Sequence, residues 1–275
     1  MRFFKRLLRS RVGLSGLFIT GLVVIAAILA PVIAPYDPIE QDFTLSLQLP
    51  SWRHPMGMDE FGRDIFSRVI FGARISLSVG AIAVAIGFFI GMPIGLFSGF
   101  YGGWLDALVQ RAIDALMALP GILLAIFVVS ILGIGLRNAM IAVGISSIPV
   151  FARLMRSSVM AIKEETYLEA ARAVGAGQAR ILWKHVLPNA FSPVLVQVSY
   201  QFASSILWAA GLSFLGLGAQ PPLPEWGAML ASGRTYILSA PHVITFPGLA
   251  IMLAVLGLNL LGEGLRDVLD PRIFL

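Results

Sequence analysis

The sequence predicts an all-α membrane protein, and three observations lead to that prediction. Hydrophobic residues make up 57% of the 275 residues, and charged residues make up only 13%. The mean hydropathy is +0.86, whereas a soluble domain of this length would carry roughly 25% charged residues. Apolar runs of about 20 residues, the length with which an α-helix crosses a bilayer, recur along the chain.

Six apolar runs are predicted to span the membrane, which puts both termini on one side. They lie at residues 14–34, 75–99, 112–136, 138–159, 193–218 and 242–262. The fourth run contains Pro149, which membrane helices tolerate when neighbouring groups satisfy the freed carbonyl oxygen. The first run is too long for the apolar region of a signal peptide, so we expect a retained anchor helix.

The distribution of Lys and Arg predicts cytoplasmic termini. With the N-terminus and residues 153–190 placed inside, fourteen of the twenty Lys and Arg residues are cytoplasmic. Four arginines in the outer segment, 35–74, weaken this bias. The expected organisation is a cytoplasmic N-terminus (1–13), an anchor helix (14–34), the outer segment (35–74), a membrane core (75–265) that includes a loop at 160–190, and a cytoplasmic C-terminus (266–275).

The outer segment is predicted to contain an amphipathic helix. Its apolar residues recur at helical spacing, at Phe61, Ile65, Phe66, Val69 and Ile70. Its charged residues lie on another face, at Glu60, Asp64 and Arg68. A helix in the outer membrane interface and a helix packed on the bundle give the same pattern, so both interpretations stay open.

Glycines recur every four residues in the second run, at Gly87, Gly91, Gly95 and Gly99. This spacing forms a groove on one helix face, in which another helix can approach closely. The pattern predicts tight packing within a helix bundle or a dimer.

The motifs of several enzyme classes are absent from the sequence. None of the three lysines follows a glycine, which excludes a G-x-x-x-x-G-K-[ST] phosphate loop. The three histidines form no H-E-x-x-H spacing, and no G-x-S-x-G elbow is present. Transport remains as the predicted activity, with an energy source outside this chain.

The loop at 160–190 is long, polar and helix-forming, which is unusual between apolar runs. Thr166 and Glu169 have the spacing of a capping box, which predicts a short helix from Tyr167 onward. Gly175 and Gly177 are predicted to stop it. A second short helix at about 178–186 should end at Pro188, and Ser192–Pro193 should start the next span.

The string "EAARAVGAGQARILWKHVLP" in this loop resembles the cytoplasmic signature of ABC importer permeases. The matching positions are Glu169, Ala170, Ala171, Gly175, Leu187 and Pro188. His185 departs from the aliphatic residue of the general pattern. The resemblance implies a coupling helix that docks into a groove on a separate ATPase. It also implies that ATP and Mg²⁺ bind to that ATPase, so that this chain is not an enzyme and carries no cofactor.

Further segments resemble the second permease of the dipeptide, oligopeptide and nickel importers. They are "HPMGMDEFGRDIFSRVIFGARISL" at 54–77, "GLSFLGLG" at 211–218, "EWG" at 225–227 and "GLNLLGEGLRDVLDPR" at 257–272. Met58 stands where this branch usually has threonine. The resemblance implies a type I ABC importer permease core of five spans plus the N-terminal anchor helix. It implies as partners a homologous permease subunit, two ATPase subunits and an extracytoplasmic binding protein, in the cytoplasmic membrane of a bacterium or archaeon.

A polar stripe in the fifth run is the candidate translocation path. Its residues recur on one helix face, at Gln197, Gln201, Ser204 and Trp208, with Ser205 beside them. Polar groups inside a span face protein or a water-filled path, so hydrogen bonds between helices are the alternative. His54, Met56, Met58 and Asp59 include ligand types that suit copper better than nickel. Because this His-Pro lead-in belongs to the whole branch, no metal site is predicted.

The predicted function is the import of dipeptides or oligopeptides as one permease subunit of an ATP-driven importer. Nickel or a nickel chelate, glutathione, or another small solute are alternative substrates of the same architecture, because the binding protein does most of the selection. An ATP-independent transporter or channel would need ionisable residues in mid-span or paired broken helices. A purely structural membrane protein is the other alternative, and it would have no nucleotide-dependent partner.

Overall fold

The computed structural model describes residues 10–269. Over these residues it is almost entirely α-helical, without a strand beyond one isolated bridge between Met58 and Asp64. The helices are α1 (Arg11–Ile28), α2 (Ala30–Ile33), α3 (Ile65–Tyr101), α4 (Gly103–Met117), α5 (Gly121–Leu132), α6 (Leu136–Lys163), α7 (Thr166–Ala173), α8 (Gln178–Ile181), α9 (Leu187–Phe214), α10 (Trp226–Gly233) and α11 (His242–Leu269). A π-helical turn, Leu182–Val186, joins α8 to α9, and short 3-10 turns lie at Phe43–Leu45 and Arg234–Tyr236.

Four of the described helices are long and apolar enough to cross a membrane: α1, α3, α6 and α11. The bent pair α4 and α5 makes a fifth candidate if it forms one broken span. The 28-residue α9 is not among these candidates, because the glutamines and serines of its polar stripe lower its hydropathy. The predicted number of six spans therefore stays a prediction.

The predicted third span, 112–136, is not one continuous helix. α4 ends at Met117, α5 begins at Gly121, and the two helix axes meet at 90°. Pro120 lies in the break and disfavours a helical conformation of the residue before it. Pro149, in contrast, lies within the continuous helix α6, as the sequence predicted.

The amphipathic helix predicted within the outer segment is the start of α3. Asp64 caps α3, and its carboxylate accepts a hydrogen bond from the Ser67 amide at 2.7 Å. The helix then continues without a break from Ile65 to Tyr101. Ile65, Arg68 and Val69 are buried, so this part of the chain packs on the bundle. The amphipathic pattern therefore belongs to the helix that continues into the second apolar run, and not to a separate helix of the outer segment.

The glycine groove of α3 receives α6 of the same chain. A Cβ atom at Gly91 or Gly95 would collide with the backbone oxygens of Ile148 and Ala152. The residues at these positions of α3 therefore have to lack a side chain for the two backbones to lie this close. The predicted tight packing is confirmed as an intramolecular contact.

The buried apolar residues form three clusters. One joins α1, the start of α3, α10 and α11, and another joins α3, α5, α6 and α9 in the middle of the bundle. The third cluster joins the end of α3 to α6, to the start of α9 and to the loop between them. It holds that loop through Leu168, Ile181, Leu182 and Val186, each at most 2% exposed.

Candidate functional site

The loop that carries the family signature forms a helix, a glycine turn and a second short helix. Two residues, Glu164 and Glu165, separate the end of α6 from α7. Gly175 follows α7 with φ +86°, a left-handed conformation that glycine adopts without strain. The Gly175 amide bonds to the Arg172 carbonyl oxygen at 2.9 Å, and the Ala176 amide bonds to the Ala171 carbonyl oxygen at 3.0 Å. The helix–turn–helix order follows the prediction.

The predicted capping box is wrong. α7 begins at Thr166, one residue before the predicted Tyr167, and its N-cap residue is Glu165, without a side-chain hydrogen bond. The Leu168 amide already bonds to the Glu165 carbonyl oxygen at 3.0 Å, so the first turn closes one residue early. Thr166 is therefore inside the helix, where its hydroxyl does not cap it. Gly177 does not stop α7 either, because it is the N-cap residue of α8.

The second half of the loop also differs from the prediction. Pro188 does not end a helix, because it lies in the first turn of α9, where the missing N–H needs no partner. Ser192 and Pro193 lie inside α9 and do not start it. The π-helical turn before Leu187 lets the chain pass into α9 without a loop.

One face of this loop is anchored and the other is open. Leu168 is fully buried on the side of the core. Glu169 and Ala170 are exposed, and Ala171 is half-buried. Val174 is 85% exposed and gives the open face an apolar component. The loop thus presents one acidic and several small or apolar residues from a rigidly held helix.

A hydrogen bond ties the loop to α9. The Asn189 side-chain amide donates to the Tyr167 hydroxyl at 3.1 Å and to the His185 carbonyl oxygen at 2.7 Å. Leu187 is half-buried and Pro188 is exposed. The six signature positions therefore lie in two groups: one on α7 and its glycine turn, and the other at the start of α9.

The polar stripe of α9 lies where α9 meets α6 and α5. Gln201 is buried, and its Nε2 donates to Ser147 Oγ on α6 at 2.8 Å. Ser205 is also buried, and its hydroxyl has no hydrogen-bond partner among residues 10–269. The Trp208 ring lies directly against Gly121, where a Cβ atom would not fit.

Gln197, Ser204 and Trp208 are half-buried. The Gln201 contact is the kind of hydrogen bond between helices that was the alternative to a path. Hydrogen bonding between helices therefore accounts for Gln201, and the translocation path stays a prediction for the partly exposed members of the stripe.

Charged residues near the ends of the spans have partners that local spacing did not reveal. Asp114 accepts a hydrogen bond from Arg153 of α6, although Arg111 lies only one helical turn away in the sequence. Glu263 of α11 accepts a hydrogen bond from the Tyr200 hydroxyl of α9 at 2.7 Å.

A buried ion cluster organises the outer segment, and the sequence analysis missed it. Arg63 Nε donates to Asp59 Oδ2 at 2.6 Å, and the Arg68 guanidinium lies 3.4 Å from the same carboxylate. Glu60 lies 3.6 Å from Arg63, and burial raises the pKa of the Glu60 carboxyl. The sequence offered one sign of this cluster, namely the opposite charges four residues apart at Asp59 and Arg63.

His54 belongs to the same buried region. Its Nδ1 lies 2.9 Å from Asp64 Oδ1, the carboxylate that also caps α3. Asp59, the other candidate metal ligand of this region with an ionisable side chain, is paired with arginines. Among residues 10–269 no three His, Cys, Asp or Glu side chains are grouped in a way that could hold a metal ion.

The "EWG" segment locks α10 into the bundle. Glu225 is 2% exposed, and its carboxylate accepts a hydrogen bond from the Ala228 amide at 2.9 Å. Burial raises the pKa of this carboxyl. Trp226 donates its ring N–H to the Val69 carbonyl oxygen of α3 at 2.9 Å, and Gly227 packs directly on the backbone of Ala210.

Two similar proteins match almost the whole length of this chain. The dipeptide transport system permease protein of Alkalihalophilus pseudofirmus is 47% identical over 98% of this chain and 89% of its own length. The glutathione transport system permease protein of Pectobacterium atrosepticum is 50% identical over 98% of this chain and 90% of its own length. Residues 1–50 match the N-terminal transmembrane domain of oligopeptide transport permease C.

The fold has a counterpart among solved structures. One chain of the methionine ABC transporter MetNI, in an inward-facing conformation, matches with a TM-score of 0.59 and 22% identity. The match covers 73% of this chain and 96% of that one, and it confirms the predicted fold of a type I ABC importer permease. Residues 91–275 match the family described as binding-protein-dependent transport system inner membrane component. The chain belongs to this family, the membrane-embedded permease subunits of ABC importers.

Proposed function

We propose that this chain imports dipeptides or oligopeptides as one of two homologous permease subunits. Two ATPase subunits bind ATP and Mg²⁺ and drive the transport, and an extracytoplasmic binding protein delivers the substrate. The chain itself carries no catalytic residue and no cofactor. The dipeptide permease at 47% identity supports this substrate class. The glutathione permeases at 50% identity make glutathione, itself a small peptide, the second candidate.

The open face of the loop at 160–190 is the observation that carries the proposal. Glu169, Ala170, Ala171 and Gly175 form one contact group, and Leu187 and Pro188 form the other. A rigidly anchored, partly apolar helix face of this kind suits a groove on a partner protein. ATP binding on that partner shifts the permease between inward and outward access, because it favours one conformation of the complex.

The topology follows from this role. The loop at 160–190, the N-terminus (1–13) and the C-terminus (266–275) are cytoplasmic, where the ATPases bind. The outer segment (35–74) then faces the binding protein. Single-cysteine labelling from either side of the membrane tests this orientation, and the natural sequence is suitable because it contains no cysteine.

Charge reversal at Glu169 tests the coupling role. Glu169→Lys is expected to reduce uptake per ATP hydrolysed, because the ATPase groove meets a positive charge where it binds a negative one. The fold is expected to stay intact, since Glu169 is exposed. Glu164→Lys is the matched control, because it makes the same charge change on an exposed residue just before the loop's first helix. Normal coupled uptake in Glu169→Lys would contradict the coupling role.

The partly exposed members of the polar stripe are proposed to line the translocation path. These are Gln197, Ser204 and Trp208, whereas Gln201 and Ser205, the other two residues of the predicted path, are buried. Alanine at Gln197 is expected to alter uptake while the amount of assembled complex stays normal. Alanine at Gln201 also removes the hydrogen bond to Ser147, which in a membrane contributes about 0.6 kcal/mol and at most about 1.7. Loss of the complex in both variants would favour a purely structural role.

The substrate is identified by uptake in cells with and without this chain. Labelled dipeptide, labelled glutathione and labelled nickel are the three probes. Loss of dipeptide uptake alone supports the proposal, and loss of glutathione uptake alone supports the second candidate. Loss of nickel uptake alone would contradict both and would move the chain to the metal importers.

A further inference from the structure

The coupling loop joins the membrane part of the chain at both ends, through α6 before it and through α9 after it, and the end at α6 leads to α4. α7 follows α6 after two residues, a connection too short to absorb a movement of α7. Movement of α7 must therefore carry the end of α6 with it. Lys163, the last residue of α6, donates to the Phe100 carbonyl oxygen at 2.8 Å and so ties this end to the end of α3.

Two ion pairs join this end of α6 to α4. Arg156 binds Asp106 through two parallel hydrogen bonds, Nε to Oδ1 at 2.7 Å and Nη2 to Oδ2 at 2.6 Å. Arg153 donates to Asp114. The first pair is partly buried, with side-chain exposures of 26% for Arg156 and 16% for Asp106. Paired geometry of this kind fixes orientation as well as distance.

Apolar packing contributes little to the position of α4 within this chain. All fifteen residues of α4 are described, and Ile113 alone is buried. Asp106 and Asp114 are eight residues apart, which is about 12 Å along a helix. One ion pair would leave α4 free to rotate about a single point, whereas two pairs at this separation fix both its position and its direction.

The other end of α4 leads to the polar stripe. α4 and α5 meet at 90° around Pro120, and Gly121 at the start of α5 lies against the Trp208 ring of α9. A displacement of α4 therefore changes the position of the first turn of α5, which is in contact with a predicted path residue.

We propose that Asp106 and Asp114 are positioning residues that transmit movement of the coupling helix from α6 through α4 to the broken span and Trp208. The ion pairs make α4 follow α6 as one body, and the break at Pro120 turns this movement into a shift of α5. The inference rests on the proposed function, because it requires that ATPase subunits move α7.

The test uses the whole importer in proteoliposomes, with spin labels on pairs of cysteines introduced into the cysteine-free chain. Leu108→Cys on α4 and Ala161→Cys on α6 report whether the two helices move together. Leu123→Cys on α5 and Leu238→Cys in a distant loop report the shift of α5. Both distances are measured with and without ATP, and ATP hydrolysis and dipeptide uptake are measured in parallel.

In the wild type, ATP is expected to change the 123–238 distance and to leave the 108–161 distance unchanged. In Asp106→Asn/Asp114→Asn the 108–161 distance is expected to broaden and the ATP-dependent shift of α5 to fall by at least half. Uptake per ATP is expected to fall about fivefold, the lower end of typical coupling between sites. Arg111→Gln is the control, because it neutralises a charge of α4 that forms no ion pair among residues 10–269.

The exchange Asp106→Arg/Arg156→Asp distinguishes transmission from a general loss of structure, because it should restore the distances and the uptake that Asp106→Arg alone abolishes. Wild-type distances in Asp106→Asn/Asp114→Asn would overturn the inference and leave the proposed function intact. ATP-dependent dipeptide uptake with an unchanged 123–238 distance in the wild type would also overturn the inference alone, whereas a wild-type complex without ATP-dependent dipeptide uptake would contradict the proposed function.

Discussion

Replacement of Leu168 by alanine should release the coupling helix from the core without altering its open face. Leu168 is fully buried among the residues that join α7 to α3, α6 and α9. Leu168→Ala removes three carbon groups, worth about 2.4 kcal/mol at about 0.8 kcal/mol each. The remaining cavity adds to this, and the whole cost of a buried Leu→Ala change reaches up to about 5 kcal/mol. Since α7 has only eight residues, this loss is large compared with its other contacts.

Leu168→Ala is expected to affect the stability of the complex and its binding to the ATPase. Purified complexes with Leu168→Ala should melt at a lower temperature and should retain less ATPase subunit in a pull-down through this chain. Leu238→Ala is the matched control, because Leu238 is 96% exposed and the same truncation should change the unfolding free energy by at most about 0.5 kcal/mol. Wild-type melting and ATPase retention in Leu168→Ala would refute the anchoring of α7 by its buried face.

Two further predictions concern the bundle itself. Gly95→Ala should destabilise the complex by about 1–3 kcal/mol, because the new methyl group meets the backbone of Ala152. Gly21→Ala is the control and should be neutral or stabilising, because a Cβ atom at Gly21 has no neighbour within 4 Å. Equal melting temperatures of the two variants would contradict the close helix packing. Burial raises the pKa of Glu225 in the folded state above its usual value of 4.5, so its stabilising contribution is complete below that pH and is lost as pH rises through the raised pKa. The wild type should therefore melt at a lower temperature at pH 8 than at pH 5, and Glu225→Gln should show a smaller difference between the two melting temperatures. The same difference in Glu225→Gln as in the wild type would contradict the raised pKa of Glu225.

Patterns with a fixed period could be predicted from the sequence. The glycines of α3 recur every four residues and pack against α6, and Gly175 stops α7 as its lack of a Cβ atom predicts. Prolines could not be interpreted in the same way. Pro149 lies inside a continuous helix, Pro188 lies at a helix start and Pro120 lies at a 90° break. The outcome depends on which groups surround each proline, and hydropathy averaged over a span does not contain that information.

In the candidate site, too, local sequence patterns could be interpreted and contacts between distant positions could not. The signature string located α7 and its glycine turn, because its residues are contiguous in sequence. The ion pairs of Asp106 and Asp114 link positions 50 and 39 residues apart, so no local spacing pointed to them. Arg111, one turn from Asp114, was the partner that local spacing favoured. The polar stripe was found by its helical period, but its period could not tell Gln201, which bonds to a neighbouring helix, from its half-buried neighbours.

The length of α3 explains how so apolar a chain accommodates a buried cluster of Asp, Glu and Arg. Its 37 residues make a rod about 55 Å long, whereas the hydrocarbon layer of a bilayer is about 30 Å thick. Even at a tilt of about 40° the rod extends about 42 Å along the membrane normal. At least one end must therefore stand in the headgroup layer or in water. Arg68 lies in the first turns of this rod, and Lys163 of α6 contacts its other end at the Phe100 carbonyl oxygen. A rod longer than the hydrocarbon layer is thick allows both charges to stay outside that layer.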